Sequence, residues 1–164
     1  MKNMNKTTKF ICQSAIIAAL YVVLTYLANA LGLANYAIQV RFSEALCALA
    51  IFTPAAIPGL FLGCLISNIL TGCVIWDIIF GSIATLIGAI GTYLLRKHPI
   101  PALLPPIISN MVIVPLVLKF AYGLEDGLWF LILTVGAGEV ISVGILGFIL
   151  YLALKKRAKE IFRT

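Results

Sequence analysis

The sequence predicts an all-α integral membrane protein: a compact bundle of six membrane helices, the second one short, with both termini in the cytoplasm. Composition is the first observation behind this fold class. Of the 164 residues, 62% are hydrophobic and 11% are charged, and the mean hydropathy is +1.10. Soluble domains carry about 25% charged residues. The length leaves room for one membrane domain and for no soluble catalytic module besides it.

The second observation is that the apolar residues form runs near the length of about 20 residues that spans a bilayer. The first run, 10–31, follows three lysines as a signal peptide would, but it exceeds the roughly 7–15 apolar residues of a signal peptide. We therefore expect a retained helix. The later runs are 55–71, 75–95, 101–120 and 127–154. A shorter piece, 41–52, is closed by Thr53-Pro54 and predicts a half-spanning or tilted helix packed against protein.

The third observation is the distribution of charge. Ten of the twelve basic residues fall in three clusters beside apolar runs: Lys2, Lys6 and Lys9; Arg96 and Lys97; and Lys155, Lys156, Arg157, Lys159 and Arg163. A six-helix count puts all three on one side of the membrane, and five or seven helices would scatter them. The prediction is a cytoplasmic tail 1–9, a membrane domain 10–154 and a basic cytoplasmic tail 155–164, in the plasma membrane of a prokaryote. This clustering argues against nucleic-acid binding.

Small residues repeat every four positions in several helices, a spacing that lets helix backbones approach closely. Internal packing is the ordinary role of such faces, and contact with another subunit is the alternative. The residues concerned are Gly59, Gly63 and Ser67; Gly81, Thr85 and Ala89; and, in the first helix, Ala15, Ala18 and Ala19.

Ionisable residues inside a membrane are costly and mark candidate functional sites. Arg41 and Glu44 are three residues apart on one helical face, so they either pair with each other or form the rim of a binding site. Trp76 and Asp77 stand near the external start of a helix. There they serve either as an interface anchor and a helix-dipole partner or as ligand contacts.

Asn110 and Glu139 lie near the middle of their helices. Glu139 has no basic neighbour at helical spacing, so it either contacts a solute or pairs with Arg41 or Lys119 from another helix. Asn68 ends the small-residue face of its helix and either points into the same space or forms an interhelical hydrogen bond.

The motifs of several enzyme classes are missing. The sequence contains no phosphate-binding G-x-x-x-x-G-K-[ST] loop and no G-x-S-x-G or H-E-x-x-H motif. The one histidine, His98, and four cysteines without C-x-x-C spacing predict no metal site. We therefore expect no catalytic residue and no cofactor, but a small-molecule carrier that takes its energy from elsewhere.

Long contiguous motifs resemble the QueT family, the substrate-binding (S) components of energy-coupling factor transporters assigned to queuosine precursors. These motifs are QVRFSEALCALAIFTPAAIPGLFLGCLISN from Gln39, WDIIFGSIATL from Trp76 and GAGE ending at Glu139. The resemblance implies six membrane helices and one small solute bound near the external face. It also implies partners: a transmembrane coupling subunit and two ATP-binding cassette ATPases. An Ala-x-x-x-Ala motif that docks on the coupling subunit in such proteins is matched by Ala15 and Ala19, with Ala18 beside them.

The resemblance further implies a 7-deazaguanine solute, such as 7-aminomethyl-7-deazaguanine, or queuine. A carboxylate accepts two parallel hydrogen bonds from the guanine edge, and flat bases stack on aromatic rings. The hypothesis assigns Glu139 to the guanine edge, Asn110 or Asn68 to the carbonyl, and Trp76 or Tyr36 to a stack or lid. Glu44, Asp77 and Arg41 complete the expected site.

Two alternatives remain at this point. One is an S component for another vitamin-like solute, such as a flavin, thiamine or a purine-like compound. The other is a self-sufficient secondary carrier, for which an inverted repeat is typical, and the sequence shows no convincing one.

Overall fold

A computed structural model describes residues 5–33 and 40–162, and within these ranges the chain forms helices and connecting turns without a strand. In chain order the helices are α1 (Lys6–Ala30), α2 (Phe42–Ile51), α3 (Ala56–Leu70), α4 (Ile75–Leu94), α5 (Pro101–Phe120), α6 (Leu128–Leu154) and the single turn α7 (Ala158–Ile161). Helices α1, α4, α5 and α6 are long and apolar enough to cross a membrane, while α2 and α3 are shorter. The predicted six-helix bundle with a short second helix is confirmed.

Helix α2 lies in the middle of the bundle and packs against α1, α3, α4 and α6. It is a 3₁₀ helix, and every residue from Ser43 to Ile51 is buried. With about 2.0 Å of rise per residue it is about 20 Å long, too short to span a bilayer. Its alanines and Cys47 have small side chains, so neighbouring helices approach it closely. The helix ends before Thr53-Pro54, as the sequence predicts.

Helices α1 and α3 run parallel and in close contact. A Cβ atom at Gly63 would lie 2.6 Å from Cβ of Tyr21, and one at Gly59 would lie 2.8 Å from the carbonyl oxygen of Ser14. The hydroxyl of Ser14 also donates to the carbonyl oxygen of Ala55 at 2.9 Å. The glycines of α3 are therefore the packing face against α1, the ordinary role expected of such a face.

Helices α4, α5 and α6 continue the bundle as antiparallel neighbours. Gly88 of α4 faces Pro106 of α5, and a Cβ atom at Gly88 would lie 2.6 Å from Cα of that proline. Gly136 of α6 accommodates the side chain of Met111 in the same way. Small residues thus set the helix spacing across the bundle and permit close packing between the helices.

A π-helical segment, Val140–Gly147, interrupts α6. A π turn inserts a residue and changes which side chains face inward, and such segments are frequent at functional sites. Glu139 stands at the junction, and both Glu139 and Ser142 are buried. The interruption therefore turns two polar residues of one helix toward the bundle interior.

The polar ends of the bundle differ. At one end, the C-terminus of α1 meets the α3–α4 turn and the α5–α6 loop, because Tyr26 donates to the carbonyl oxygen of Leu70 and the amide of Val74 donates to the hydroxyl of Tyr122. We name this the Tyr122 end. The α4–α5 turn with Arg96 and the C-terminal segment lie at the opposite end, where Phe162 stacks on Phe52 with ring centroids 5.8 Å apart.

Candidate functional site: a polar cavity at one end of the bundle

A cavity of about 440 Å³ opens at the Tyr122 end. Its volume lies within the roughly 300–1,000 Å³ of small-molecule sites. Side chains from α1, α3, α4, the start of α2 and the α5–α6 region form its wall. Its described lining residues are Tyr21, Thr25, Ala28, Asn29, Arg41, Ser43, Asn68, Thr71, Cys73, Asp77, Leu118, Tyr122 and Leu124.

Asp77 is the carboxylate in this wall. It occupies the first turn of α4, where the helix dipole favours a negative charge, and it is 4% exposed. Its Oδ2 accepts a hydrogen bond of 3.0 Å from the hydroxyl of Tyr122, while its Oδ1 has no hydrogen-bond partner among the described residues. Partial burial raises the pKa of Tyr122, and the neighbouring Asp77 raises it further, so the phenol remains a donor.

Asn68 fixes the side of the cavity next to Asp77. Its Nδ2 donates to the backbone carbonyl of Asp77 at 3.4 Å and contacts Sγ of Cys64 at 3.7 Å. Gly81, one turn further along α4, leaves room here, since its Cβ would lie 3.2 Å from both Nδ2 of Asn68 and Oδ1 of Asp77. Asn68 therefore forms the interhelical hydrogen bond and also lines the cavity.

Glu44 lies next to the cavity through Tyr21. The Tyr21 hydroxyl donates to Oε1 of Glu44, and the thiol of Cys47 donates to Oε2 at 3.4 Å. Glu44 is 1% exposed. The hydrogen bonds of this carboxylate therefore go to α1 and to its own helix. Neither of these hydrogen bonds joins Glu44 to Arg41, the pairing that was one of the two alternatives from the sequence.

Arg41 enters the cavity from the start of α2. Its backbone amide donates to Oγ of Ser142 at 3.0 Å, which ties the start of α2 to the π segment of α6. Its side chain lines the cavity, and its charged neighbours include Asp77 and Glu44. The guanidinium thus shares its charge among several carboxylates.

Glu139 and Asn110 form a second buried polar pair. They are 5% and 3% exposed, and the Asn110 amide lies next to the Glu139 carboxylate. Oε2 of Glu139 has no hydrogen-bond partner in the described part of the chain. The charged neighbours of Glu139 are Glu44 and Arg41. The pair is outside the described cavity wall, and Arg41 connects the two regions.

Comparison with known families identifies the family of the chain. The profile of the QueT transporter family matches residues 11–156, nearly the whole chain, from within α1 to the end of α6. The chain belongs to the QueT transporter family. No curated protein and no solved structure gave a match. The protein is therefore a membrane transporter with a small-molecule solute, and the resemblance noted in its sequence is confirmed.

The aromatic residues of this QueT transporter are arranged differently from the expectation. Trp76 is 54% exposed on the outer side of α4, where it stacks on Phe80 with ring centroids 6.0 Å apart, and it is not among the lining residues. Tyr36 lies outside the described residues. The sequence interpretation missed Tyr21 and Tyr122, the two tyrosines in the wall. Six-helix topology placed the α5–α6 loop on the same side as Asp77, so a signal for Tyr122 was present.

The three alanines proposed as a partner surface of this QueT transporter differ in their exposure. Ala18 is buried, and its Cα is near the position that a Cβ atom at Gly63 would occupy, at 3.1 Å. Ala15 and Ala19 are exposed, in line with the exposed Ile11 and Val23. The face of α1 that remains open to a neighbour is thus the one that carries Ala15 and Ala19.

Proposed function

We propose that this QueT transporter is the substrate-binding component of an energy-coupling factor importer and binds a queuosine precursor, a 7-deazaguanine base, in the cavity at the Tyr122 end. A transmembrane coupling subunit and two ATP-binding cassette ATPases supply the energy. The observation that carries the proposal is the family membership joined to this cavity, whose wall holds a buried carboxylate with an oxygen free to accept.

The chemistry of the polar groups supports a donor-rich solute. Oδ1 of Asp77 and Oε2 of Glu139 are buried acceptors without a donor among the described residues, and such groups cost about 1–3 kcal/mol each while unpaired. A 7-deazaguanine presents adjacent N–H donors on its guanine edge, which the carboxylate of Glu139 is proposed to accept as charge-assisted hydrogen bonds. Asn68 and Arg41 are donors for the carbonyl of the base, and Tyr21 and Tyr122 offer rings for its flat face.

The distribution of basic residues supports an external cavity. Lys6 and Lys9 begin α1, and Arg96, Lys97 and the basic residues after α6 lie at the same end of the bundle, opposite the Tyr122 end. Basic residues next to membrane helices favour the cytoplasmic side. The proposal therefore places the cavity at the external face of a prokaryotic plasma membrane, where an imported solute arrives.

The outer surface of α1 supports a protein partner in the membrane. Ala15 and Ala19 are exposed at a spacing of four, and small residues at this spacing permit close contact with another helix. In the most apolar stretch of α1, 28% of the residues are buried within the chain, compared with 56% in α5. Helix α1 therefore has an outer face available for the coupling subunit.

Identification of the bound molecule tests the solute. The purified chain is denatured, the released small molecules are identified by mass spectrometry, and binding of 7-aminomethyl-7-deazaguanine is measured by titration calorimetry. We expect saturable binding with one site. Absence of binding to any 7-deazaguanine, with a flavin or thiamine recovered instead, would assign the chain to another solute.

An uptake assay tests the dependence on partners. Cells that lack their own uptake of the base receive this chain alone, the coupling subunit and ATPases alone, or all components together. We expect uptake only with all components. Uptake by the chain alone would identify a self-sufficient secondary carrier.

A further inference from the structure

The buried charges near the cavity do not balance. Among the described residues of this region three carboxylates are buried, those of Glu44, Asp77 and Glu139. Arg41 is the cation that they share, since it is a charged neighbour of Glu139 and has Asp77 and Glu44 as its own neighbours. The described cation Lys119 is bonded elsewhere, to the backbone carbonyls of Glu125 and Asp126. Taking a carboxylate out of water without a partner costs several kcal/mol, so this region favours an additional positive charge.

The three carboxylates differ in what they offer to a solute. Both oxygens of Glu44 accept hydrogen bonds from Tyr21 and Cys47, and Glu139 is outside the described cavity wall. Asp77 lines the cavity, its Oδ1 has no partner in the described part of the chain, and its Oδ2 is fixed by Tyr122. One carboxylate oxygen is therefore held in the wall, buried and without a donor from the described residues.

We infer that Asp77 binds a positively charged amine substituent of the solute and that the site thereby selects cationic 7-deazaguanines over neutral ones. The inference rests on the proposed function and adds to it the charge of the preferred solute. An ammonium group donates to Oδ1 of Asp77 and supplies the charge that Arg41 alone does not. A neutral substituent of similar size leaves the carboxylate unpaired in a wall from which water is displaced.

Gly81 makes this arrangement possible in the fold. Its missing side chain leaves space beside Oδ1 of Asp77 and Nδ2 of Asn68, each 3.2 Å from the position of a Cβ atom, and Oδ1 is buried there without a partner among the described residues. A donor group of the solute at this place lies next to the carboxylate, with the amide of Asn68 beside it.

Three ligands test the inference on the unmodified protein: 7-deazaguanines that carry an aminomethyl group, a nitrile or a carboxylate at position 7. The affinity is expected to fall in this order, with roughly ten- to hundredfold between amine and nitrile, the range for a charge-assisted hydrogen bond. Equal affinity for amine and nitrile would overturn the inference and leave the proposed function intact. No binding of any of the three would overturn the proposed function.

A variant then assigns the selectivity to its residue. Asp77→Asn keeps the size of the side chain and removes its charge, so amine binding is expected to fall to within about threefold of nitrile binding, while nitrile affinity is retained. Asp126→Asn, an exposed acid at the same end, is the matched control and retains the full preference. A folded Asp77→Asn protein that keeps the preference, or that loses both ligands equally, contradicts an amine-specific role for Asp77.

Discussion

The hydroxyl of Tyr122 donates to Oδ2 of Asp77 across 3.0 Å, and this bond joins the α5–α6 loop to the first turn of α4. The backbone amide of Val74 donates to the same hydroxyl at 3.4 Å. Asp77 is therefore oriented by a residue 45 positions away, with its second oxygen left for the cavity. The loop and the carboxylate act as one unit in the wall.

Removal of this hydroxyl is expected to weaken solute binding. In Tyr122→Phe the ring remains and the donor to Asp77 is lost, so the carboxylate is less well oriented and the dissociation constant should rise roughly tenfold, the value of one hydrogen bond to a charged group. Titration calorimetry measures it. Tyr26→Phe is the matched control, because it removes a tyrosine hydroxyl at the same end that bonds Leu70 and is not in the wall. Equal affinities of the two variants would contradict the orienting role.

Glu139→Gln is expected to lose high-affinity binding without loss of stability. The substitution replaces the carboxylate, whose Oε2 has no partner among the described residues, by an amide of the same size and removes one of three buried acids that share Arg41, so the fold is expected to keep its stability. We expect an affinity at least tenfold lower and an unfolding temperature equal to that of the unmodified protein or higher. Glu125→Gln, in the exposed α5–α6 loop, is the control. Unchanged affinity in Glu139→Gln would remove this residue from the site.

The sequence predicts the helices well because lengths of apolar runs and prolines act locally. The run 41–52 is too short to span, and Pro54 ends it, so the short α2 follows from these residues alone. The six-helix topology also gathers Arg41 and Asp77 at one end, with Arg41 as an exception to the positive-inside rule. The structure adds the partners, such as Tyr21 for Glu44, because contacts between helices leave no pattern in a single sequence.

Side-chain direction explains the main difference at the site. Trp76 and Asp77 are adjacent, and consecutive helical residues point about 100° apart. The two side chains therefore point in different directions, and with the acid buried at the start of α4 the indole lies on the outer side. Helical periodicity predicts that Trp76 and Asp77 point in different directions. Which of the two faces the cavity depends on the contact of Asp77 with Tyr122, which the sequence does not show.

Gly63→Ala is expected to destabilise the bundle and to weaken binding. The added methyl group would meet Cβ of Tyr21 at 2.6 Å, so α1 and α3 must separate, and overpacking of this kind costs about 1–3 kcal/mol in the free energy of unfolding. Because Tyr21 lines the cavity and bonds Glu44, the affinity for the solute should fall as well. Thermal unfolding in detergent and calorimetry give the two quantities.

A matched alanine substitution controls for the loss of a helical glycine. A Cβ atom at Gly144 would lie 3.7 Å from its nearest neighbour, Cγ1 of Val140, which is an ordinary contact distance. Gly144→Ala should therefore retain stability and binding. If Gly63→Ala were as stable as Gly144→Ala, the close contact between α1 and α3 would not be required for the fold.

A bulky residue at Ala19 should uncouple binding from transport. Ala19→Trp adds an indole to the exposed face of α1 and no atom to the cavity wall, so solute affinity is expected to be unchanged while the coupling subunit no longer docks closely. Co-purification of the coupling subunit and uptake should both fall at least about tenfold, as for the loss of a well-packed contact. Ile79→Trp, on an exposed position of α4, is the control for added bulk on the membrane-facing surface. Normal uptake by Ala19→Trp would instead favour α6 as the partner surface, because in its most apolar stretch too only 28% of the residues are buried.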